Sequence, residues 1–321
     1  MVNPAHDARA KQTTCRISAV VCTRNRREHL RRAIAGLLAQ TLDRSRYEIV
    51  VVDNGSTDGT PSVVSSADGC GVRLRYVYEP RLGLSHARNA AIAAAEGDLV
   101  AFLDDDAVPA AAWLETVVET FSRADVRIGC LQGHVEPVWA APRPKWLVDG
   151  LLGYVSVCDW SPEETVLGEH QFVVAANVTF PRRLLLDIGG FSAALGRQGA
   201  NLLSGEEEEV RRLIENRGFV TYYSPLASVK HLVHATRLTR RWFVRRAYWQ
   251  GVTAGLIGRP DWRRASRTFG SVLKDVARFV RAVARPGTPG RGFMVLMTQA
   301  RKCGLVVATL CYRSQRRYVR I

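Results

Sequence analysis

The chain has 321 residues, 47% of them apolar and 23% charged. That is globular composition, long enough for two small domains, and it excludes a collagen-like or wholly disordered chain. The formal charge is +15 and is uneven. From Lys230 to Ile321 there are 21 Lys or Arg and two acids, Asp261 and Asp275; the first 229 residues hold 24 bases and 28 acids. A near-neutral body therefore carries a basic tail, and anything that attracts an anionic surface belongs to the tail. Seven cysteines with no CxxC spacing predict neither a zinc ribbon nor a disulfide framework, and suit a reducing compartment. The polar stretch 1–15 reads as a disordered N-terminal segment and not as a signal peptide, since it has no apolar centre. The most apolar long window, Gly292 to Tyr312, is broken by Gln299, Arg301 and Lys302, so no membrane-spanning helix is expected.

Taken in order, Ile17 to Cys22 is a short run rich in β-branched residues and predicts a buried strand. Leu30, Ile34, Leu37 and Leu38 fall on one face of a helix over Arg26 to Gln40. Tyr47 to Val52 predicts a second strand, ending in the turn cluster Asp53-Asn54-Gly55-Ser56, with Thr57 or Asp58 placed to cap a helix. A third strand is expected over Leu74 to Tyr78, a helix over Leu84 to Ala95, a fourth strand over Leu99 to Leu103 and a helix over Trp113 to Phe121. This alternation implies an α/β fold with a doubly wound, mostly parallel sheet. The middle reads as mixed, with a strand over Ala175 to Phe180, a short helix over Arg182 to Asp187 and another from Glu206 to Asn216. From about Thr239 the pattern is basic amphipathic helix, interrupted at Pro286 to Gly290. The organisation predicted is a catalytic domain over 16–235, with halves of about 16–128 and 129–235, followed by a basic helical region over 236–321.

Ligands of such sheets bind beyond the carboxyl ends of the strands. Three polar clusters stand there: Thr23-Arg24-Asn25, Asp53-Asn54 and Asp104-Asp105-Asp106. Carboxylates leaving a buried strand in succession repel one another unless a cation joins them. Oxygen ligands of this kind suit Mg²⁺ or Mn²⁺ with a diphosphate completing the shell; a solvated acidic turn is the alternative. Asp53 can accept hydrogen bonds from a nucleobase or ribose, or simply cap its own turn. Glu206 to Glu209 can supply a general base, because neighbouring acids raise a carboxyl pKa; most of the four are expected to face solvent. His231 and His234 follow an extended segment, and either can ligate a metal or phosphate.

The opening Ile17-Ser18-Ala19-Val20-Val21-Cys22-Thr23-Arg24-Asn25-Arg26 resembles that of family 2 glycosyltransferases of the GT-A fold. Four further stretches resemble the family in the same order: Val51 to Thr60; Gly83-Leu84-Ser85-His86-Ala87-Arg88-Asn89 with Glu96-Gly97-Asp98; Phe102 to Asp106, the place of the family's DxD motif; and Gly189-Gly190-Phe191 with Gly205 to Glu209. Each is weak alone, but five in order are specific, over roughly residues 17 to 250. The stretch Arg237 to Gly251 is similar to a bacterial subgroup serving polysaccharide, glycolipid or secondary-metabolite synthesis.

The resemblance implies an inverting transfer from a nucleoside-diphosphate sugar, a UDP-sugar first, to an acceptor hydroxyl on a sugar, lipid-linked glycan or small natural product. Thr23 and Asp53, with Arg24, Asn25 and Asn54 beside them, would meet the nucleoside. Arg88 or Asn89 would hold the nucleotide, Asp104 and Asp105 the ribose or metal-bound water, and Asp106 the divalent cation, with Asp104 and His231 completing the metal or diphosphate site. Glu207 stands where the family usually has Asp and would be the base; the run of four glutamates leaves Glu206 and Glu208 as alternatives.

The tail interleaves Arg240, Arg241, Arg245 and Arg246 with Trp242, Phe243, Tyr248 and Trp249, and continues through Leu273, Val276, Phe279, Val280 and Val283. That pattern suits the surface of an anionic bilayer, which implies a cytoplasmic protein peripheral on the inner face of the cell membrane. The acceptor wall is expected over Pro142 to Trp160 and Ala175 to Phe191, where Trp146, Tyr154 and Trp160 stack on sugars or pack internally. A nucleic-acid-binding protein is the competing class, disfavoured because no helix-turn-helix, zinc-finger or RNP pattern is present. A non-catalytic sugar-nucleotide binder is the third, disfavoured by the intact acidic motifs.

Overall fold

The computed structural model describes residues 16–67, 70–197, 199, 201–257 and 291–316. The expected N-terminal segment 1–15 and most of the basic region between 258 and 290, including the apolar stripe from Leu273 to Val283, lie outside the described residues.

Four parallel strands form one half of the sheet. β1 (Ile17–Thr23) and β2 (Tyr47–Asp53) are buried along nearly all their length, and β3 (Arg73–Tyr78) and β4 (Leu99–Asp104) flank them. The continuous apolar runs in β1, β2 and β4 follow from that position, because a parallel strand covered on both faces offers no side to water. Helix α1 (Arg27–Leu38) buries Leu30, Ala33, Ile34 and Leu37, the predicted face. α2 (Thr60–Ser66) has the left-handed Gly59 at its N-cap position, and Asp58 just before it accepts from both the amide and the hydroxyl of Thr60. α3 (Leu84–Ala94) buries Ala87, Arg88 and Ala91.

The full order is β3-β2-β1-β4-β8-β6-β9-β5, with β7 on β9. β8 (Asn177–Pro181) runs antiparallel to β4 and is followed by α5 (Arg182–Asp187). β6 (Ile128–Trp139) joins β8, β9 (Val220–Val233) follows, and β5 (Ala107–Pro109) and β7 (Thr165–Val166) both pair antiparallel with β9. Helix α4 (Trp113–Arg123) anchors this half: Trp113 is fully buried and its indole N–H donates to Asn177 Oδ1 at 2.8 Å. The α/β class and the parallel half agree with the sequence. The long strands β6 and β9 are an addition, since the mixed middle gave them no clean alternation.

Two compact units result. The first comprises 1–138, 156–193 and 206–232, and contains the sheet; the second comprises 139–155, 194–205 and 233–321. In the second, α7 (Arg240–Ile257) and α8 (Arg291–Arg316) pack closely enough that a Cβ on Gly251 would lie 1.8 Å from the Arg301 carbonyl oxygen, and one on Gly304 2.0 Å from that of Tyr248. Trp146 sits edge-on to Phe243 and Phe293, and Tyr154 also meets Phe243. In the first unit Trp160 packs on Phe172 and donates to its carbonyl. The three aromatics expected in an acceptor wall thus have internal packing partners. No described helix is long and apolar enough to cross a membrane.

Candidate active site

Register brings the three polar clusters together. Thr23 stands opposite Asp53 in the β1–β2 ladder, and Cys22 opposite Asp104 in the β1–β4 ladder. All three strands are parallel, so their carboxyl ends share one rim. The β5–β9 ladder adds a fourth contribution: Ala107 faces His231, and the Leu232 amide donates to the Asp106 carbonyl at 2.9 Å. This places His231 Nε2 3.1 Å from Asp106 Oδ1 and 4.0 Å from Asp104 Oδ2. One ligand atom from each of the three residues lies within 4.8 Å of the others.

That donor set fits a hard divalent cation. Ligands at about 2.1 Å from an octahedral ion lie about 3 to 4.2 Å apart, which matches the distances from His231 to the two carboxylates. Two carboxylates and an imidazole suit Mn²⁺ as well as Mg²⁺. The Nδ1 atom of His231 is buried and has no hydrogen-bond partner among the described residues.

Asp105 points elsewhere. Its Oδ2 accepts from the Thr23 hydroxyl at 2.8 Å and its Oδ1 from Arg26 at 3.0 Å. Burial pushes its carboxyl up to about 6, against the pull of Arg26. The same Arg26 nitrogen reaches Asp106 Oδ2 at 2.8 Å. Arg26 loses solvation there, yet Asp105 and Asp106 hold its guanidinium charged. The sequence marks this arginine only as the last residue of the opening stretch and gives it no role; the turn geometry supplies its partners. Asn25 adopts φ 54°, and its side-chain oxygen accepts from the Thr57 amide while its own amide donates to Ser56 Oγ. The left-handed turn is thereby fixed and sends Arg26 back across the end of β4.

Asp53 is fully buried; Oδ1 accepts from the Ser56 amide at 2.8 Å and Oδ2 from the Tyr76 hydroxyl at 2.9 Å. Tyr76, 39% exposed, was not singled out by sequence and lines the same strand end. Asn54 is committed to the next loop: its amide donates to the carbonyls of Glu79 and Arg81, and its oxygen accepts from the Gly83 amide. Asn89 likewise ties both the amide and the carbonyl of Phe191. Arg24 is exposed at the rim. His234 lies three residues beyond the cluster and is not part of it.

Arg88 is 3% exposed and bonds Glu206 Oε1 at 2.5 Å, with the rings of Phe102 and Phe191 5.9 and 5.3 Å from its guanidinium carbon. It is not open to a nucleotide in this structure. Burial opposes its charge, but Glu206, then Glu207 and Asp104, keep it ionised. The buried cation therefore stands between the metal-ligand group and α6 (Glu206–Glu215), and relates the two electrostatically. The four glutamates now separate. Glu206 is spent on Arg88; Glu208 accepts from the Val173 amide and pairs with Arg211; Glu209 pairs electrostatically with Arg212. Glu206 and Glu207 each keep a buried Oε2 with no hydrogen-bond partner among the described residues, but only Glu206 is ion-paired to Arg88 through its other oxygen. Burial first, and Glu206 second, push the Glu207 carboxyl up to about 8. The Cys22 thiol on β1 is pushed up to about 12 by burial and is no nucleophile.

Residues 18–159 match the family model described as Glycosyl transferase family 2. A glucosyl-dolichyl phosphate glucuronosyltransferase of Haloferax volcanii is 29% identical over 268 residues, covering 81% of this chain and 83% of its own. The succinoglycan biosynthesis protein ExoM of Rhizobium meliloti is 28% identical, over 76% of this chain and 75% of its own. A pre-mycofactocin glycosyltransferase of Mycobacterium tuberculosis is 30% identical over 76% of this chain, but that span is 48% of the relative. Among solved structures, a mannosyltransferase from Pyrobaculum calidifontis in complex with GDP-Man and Mn²⁺ superposes with a TM-score of 0.56 at 21% identity, covering 95% of this chain and 76% of that one. Residues 1–349 of S. aureus TarS in complex with UDP-GlcNAc superpose at 0.55 with 17% identity, covering 94% and 92%. These neighbours share the GT-A fold.

Proposed function

We propose that this chain, which is a family 2 glycosyltransferase of the GT-A fold, moves a sugar from a nucleoside-diphosphate donor, UDP-linked first, to a lipid-linked acceptor hydroxyl with inversion. The observation that carries the reading is the convergence of Asp104, Asp106 and His231 at the strand rim beside Asp53 and Thr23. A divalent cation held by those three would neutralise the charge that develops on the departing diphosphate.

The chain's own residues do the rest. The Asp53 carboxylate and Thr23, with Arg24 and Asn25 at the rim, receive the nucleoside, and Tyr76 flanks them. Asn54, Arg88 and Asn89 hold the surrounding loops and α6 in place through their internal bonds. Glu207 takes the acceptor proton. The acceptor oxygen bonds to the anomeric carbon as the bond from that carbon to phosphate oxygen breaks, and the electron pair leaves with the nucleoside diphosphate. One displacement inverts the centre. Burial supports Glu207 as base, since an acid pushed up to about 8 is a stronger proton acceptor than an exposed one.

Two facts support the acceptor class. The Haloferax relative, matched along four-fifths of both chains, is named for a glucosyl-dolichyl phosphate. The basic region from Lys230 onward would hold the enzyme at an anionic lipid surface. The test is a titration of UDP, GDP and dTDP with and without Mn²⁺ on the wild type and Asp106→Ala. Metal-dependent binding of one nucleotide, lost in the variant, supports the reading and names the base. Failure of all three with and without metal overturns it. Salt-sensitive binding to any DNA, independent of Mn²⁺, would favour the nucleic-acid class instead.

A further inference from the structure

Among the described residues, Arg26 is a partner of the acidic cluster that neither the motif pattern nor the proposed donor site assigns. It enters from the amino end of α1, and a single nitrogen lies 3.0 Å from Asp105 Oδ1 and 2.8 Å from Asp106 Oδ2. Asp106 is at the same time 3.1 Å from His231 Nε2. One carboxylate thus faces a fixed guanidinium with one oxygen and the candidate cation position with the other. The arginine side chain remains 34% exposed, while those of Asp105 and Asp106 are 9% and 2% exposed. Part of the arginine side chain therefore reaches solvent, where a ligand can meet it. The left-handed turn at Asn25, tied to Ser56 and Thr57, fixes this approach.

We propose that Arg26 is a built-in counter-ion that makes divalent-cation binding at Asp104, Asp106 and His231 depend on a nucleoside diphosphate. The reasoning is electrostatic. A guanidinium shared between two of the three aspartates has already met part of their demand for positive charge. A divalent cation entering beside it meets a like charge within about 5 Å, which even at the dielectric of bulk water lowers affinity by about tenfold or more. A diphosphate brought to the same place carries enough negative charge to satisfy both cations, and the exposed part of Arg26 is free to bond it in the planar, two-point manner that suits phosphate oxygens. Binding of cation and nucleotide is then coupled, and by linkage each strengthens the other by the same factor.

The inference rests on the proposed donor site, and the experiment separates the two. Free Mn²⁺ is followed by its electron paramagnetic resonance signal during titration of the wild type, Arg26→Met, Arg26→Gln and Arg26→Lys, each with and without UDP. In the wild type UDP is expected to tighten Mn²⁺ by about tenfold or more. In Arg26→Met and Arg26→Gln, Mn²⁺ alone is expected to bind about tenfold more tightly than to wild type, with a smaller gain from UDP. Arg26→Lys keeps the charge and is expected to restore the wild-type coupling. Neutral variants that bind Mn²⁺ alone no more tightly than wild type, or keep its full coupling, overturn the inference while leaving the donor site intact. A wild type that binds neither Mn²⁺ nor UDP overturns both. Arg26→Gln retains hydrogen bonding to the aspartates, so it provides the neutral measurement should Arg26→Met fail to fold.

Discussion

Glu207 pits stability against chemistry at a single side chain. Its carboxyl is raised to about 8 by burial and by Glu206, so the folded chain keeps a proton that the unfolded chain releases near the ordinary value of 4.5. Between those two pH values the unfolded state binds fewer protons, and stability falls as pH rises. In the proposed role of base Glu207 works only when ionised, so turnover of wild type should climb with pH through about 8. Glu207→Gln should abolish most turnover while raising the melting temperature. The gain over wild type should be near zero at pH 4.5, grow with pH and level off above about 8. A melting-temperature difference independent of pH would show that Glu207 is not buried as an acid. His231→Ala removes one member of the proposed cation site and leaves Thr23 and Asp53 in place, so it should weaken Mn²⁺ and leave metal-free UDP binding near wild type, measured by calorimetry. Much of this was legible: the Asp triad, Asp53 and the acidic string stand out by residue type and place. The roles of Arg26 and Tyr76 were not, because the partner of each lies on another strand end.

At the level of elements, the second half of the sheet decides where His231 goes. β6 and β9 were hard to read because their polar residues face inward. Gln132 is fully buried and takes the Val174 amide, and β9 runs unbroken through Pro225, a residue that reads as a strand breaker. β1, β2 and β4 were easy, since strands covered on both faces are apolar throughout. Close packing in the antiparallel half leaves no room at Gly133, where a Cβ would lie 2.1 Å from the Ala227 carbonyl oxygen and 2.2 Å from Asn177 Nδ2. Gly133→Ala should therefore push β9 and β8 from their places and cost about 1–3 kcal/mol, read from chemical denaturation. Because His231 rides on β9, the same variant should weaken Mn²⁺ binding more than metal-free nucleotide binding. Equal stability to wild type would mean the strands can separate freely there.

For the whole molecule the governing quantity is the distribution of charge. A formal +15, concentrated from Lys230 onward, predicts binding to vesicles containing about a third anionic lipid at low salt, and release in about 0.5 M salt as the Debye length shrinks below about 5 Å. Co-sedimentation measures it, and binding equal to that of neutral vesicles would remove the membrane reading. The sequence by itself determined the class of fold, the resemblance to family 2 glycosyltransferases and which acidic residues end the strands, because strand periodicity, turn chemistry and ordered motifs are local properties. It also determined the charge asymmetry, which is a count. The tertiary structure alone decided that Glu206 and not Glu207 is ion-paired to Arg88, that Asp105 turns to Thr23 while sharing Arg26 with Asp106, and that Arg88 and Asn89 face inward. Those outcomes depend on partners far along the chain, brought together by ladder register and burial, and no local pattern encodes them.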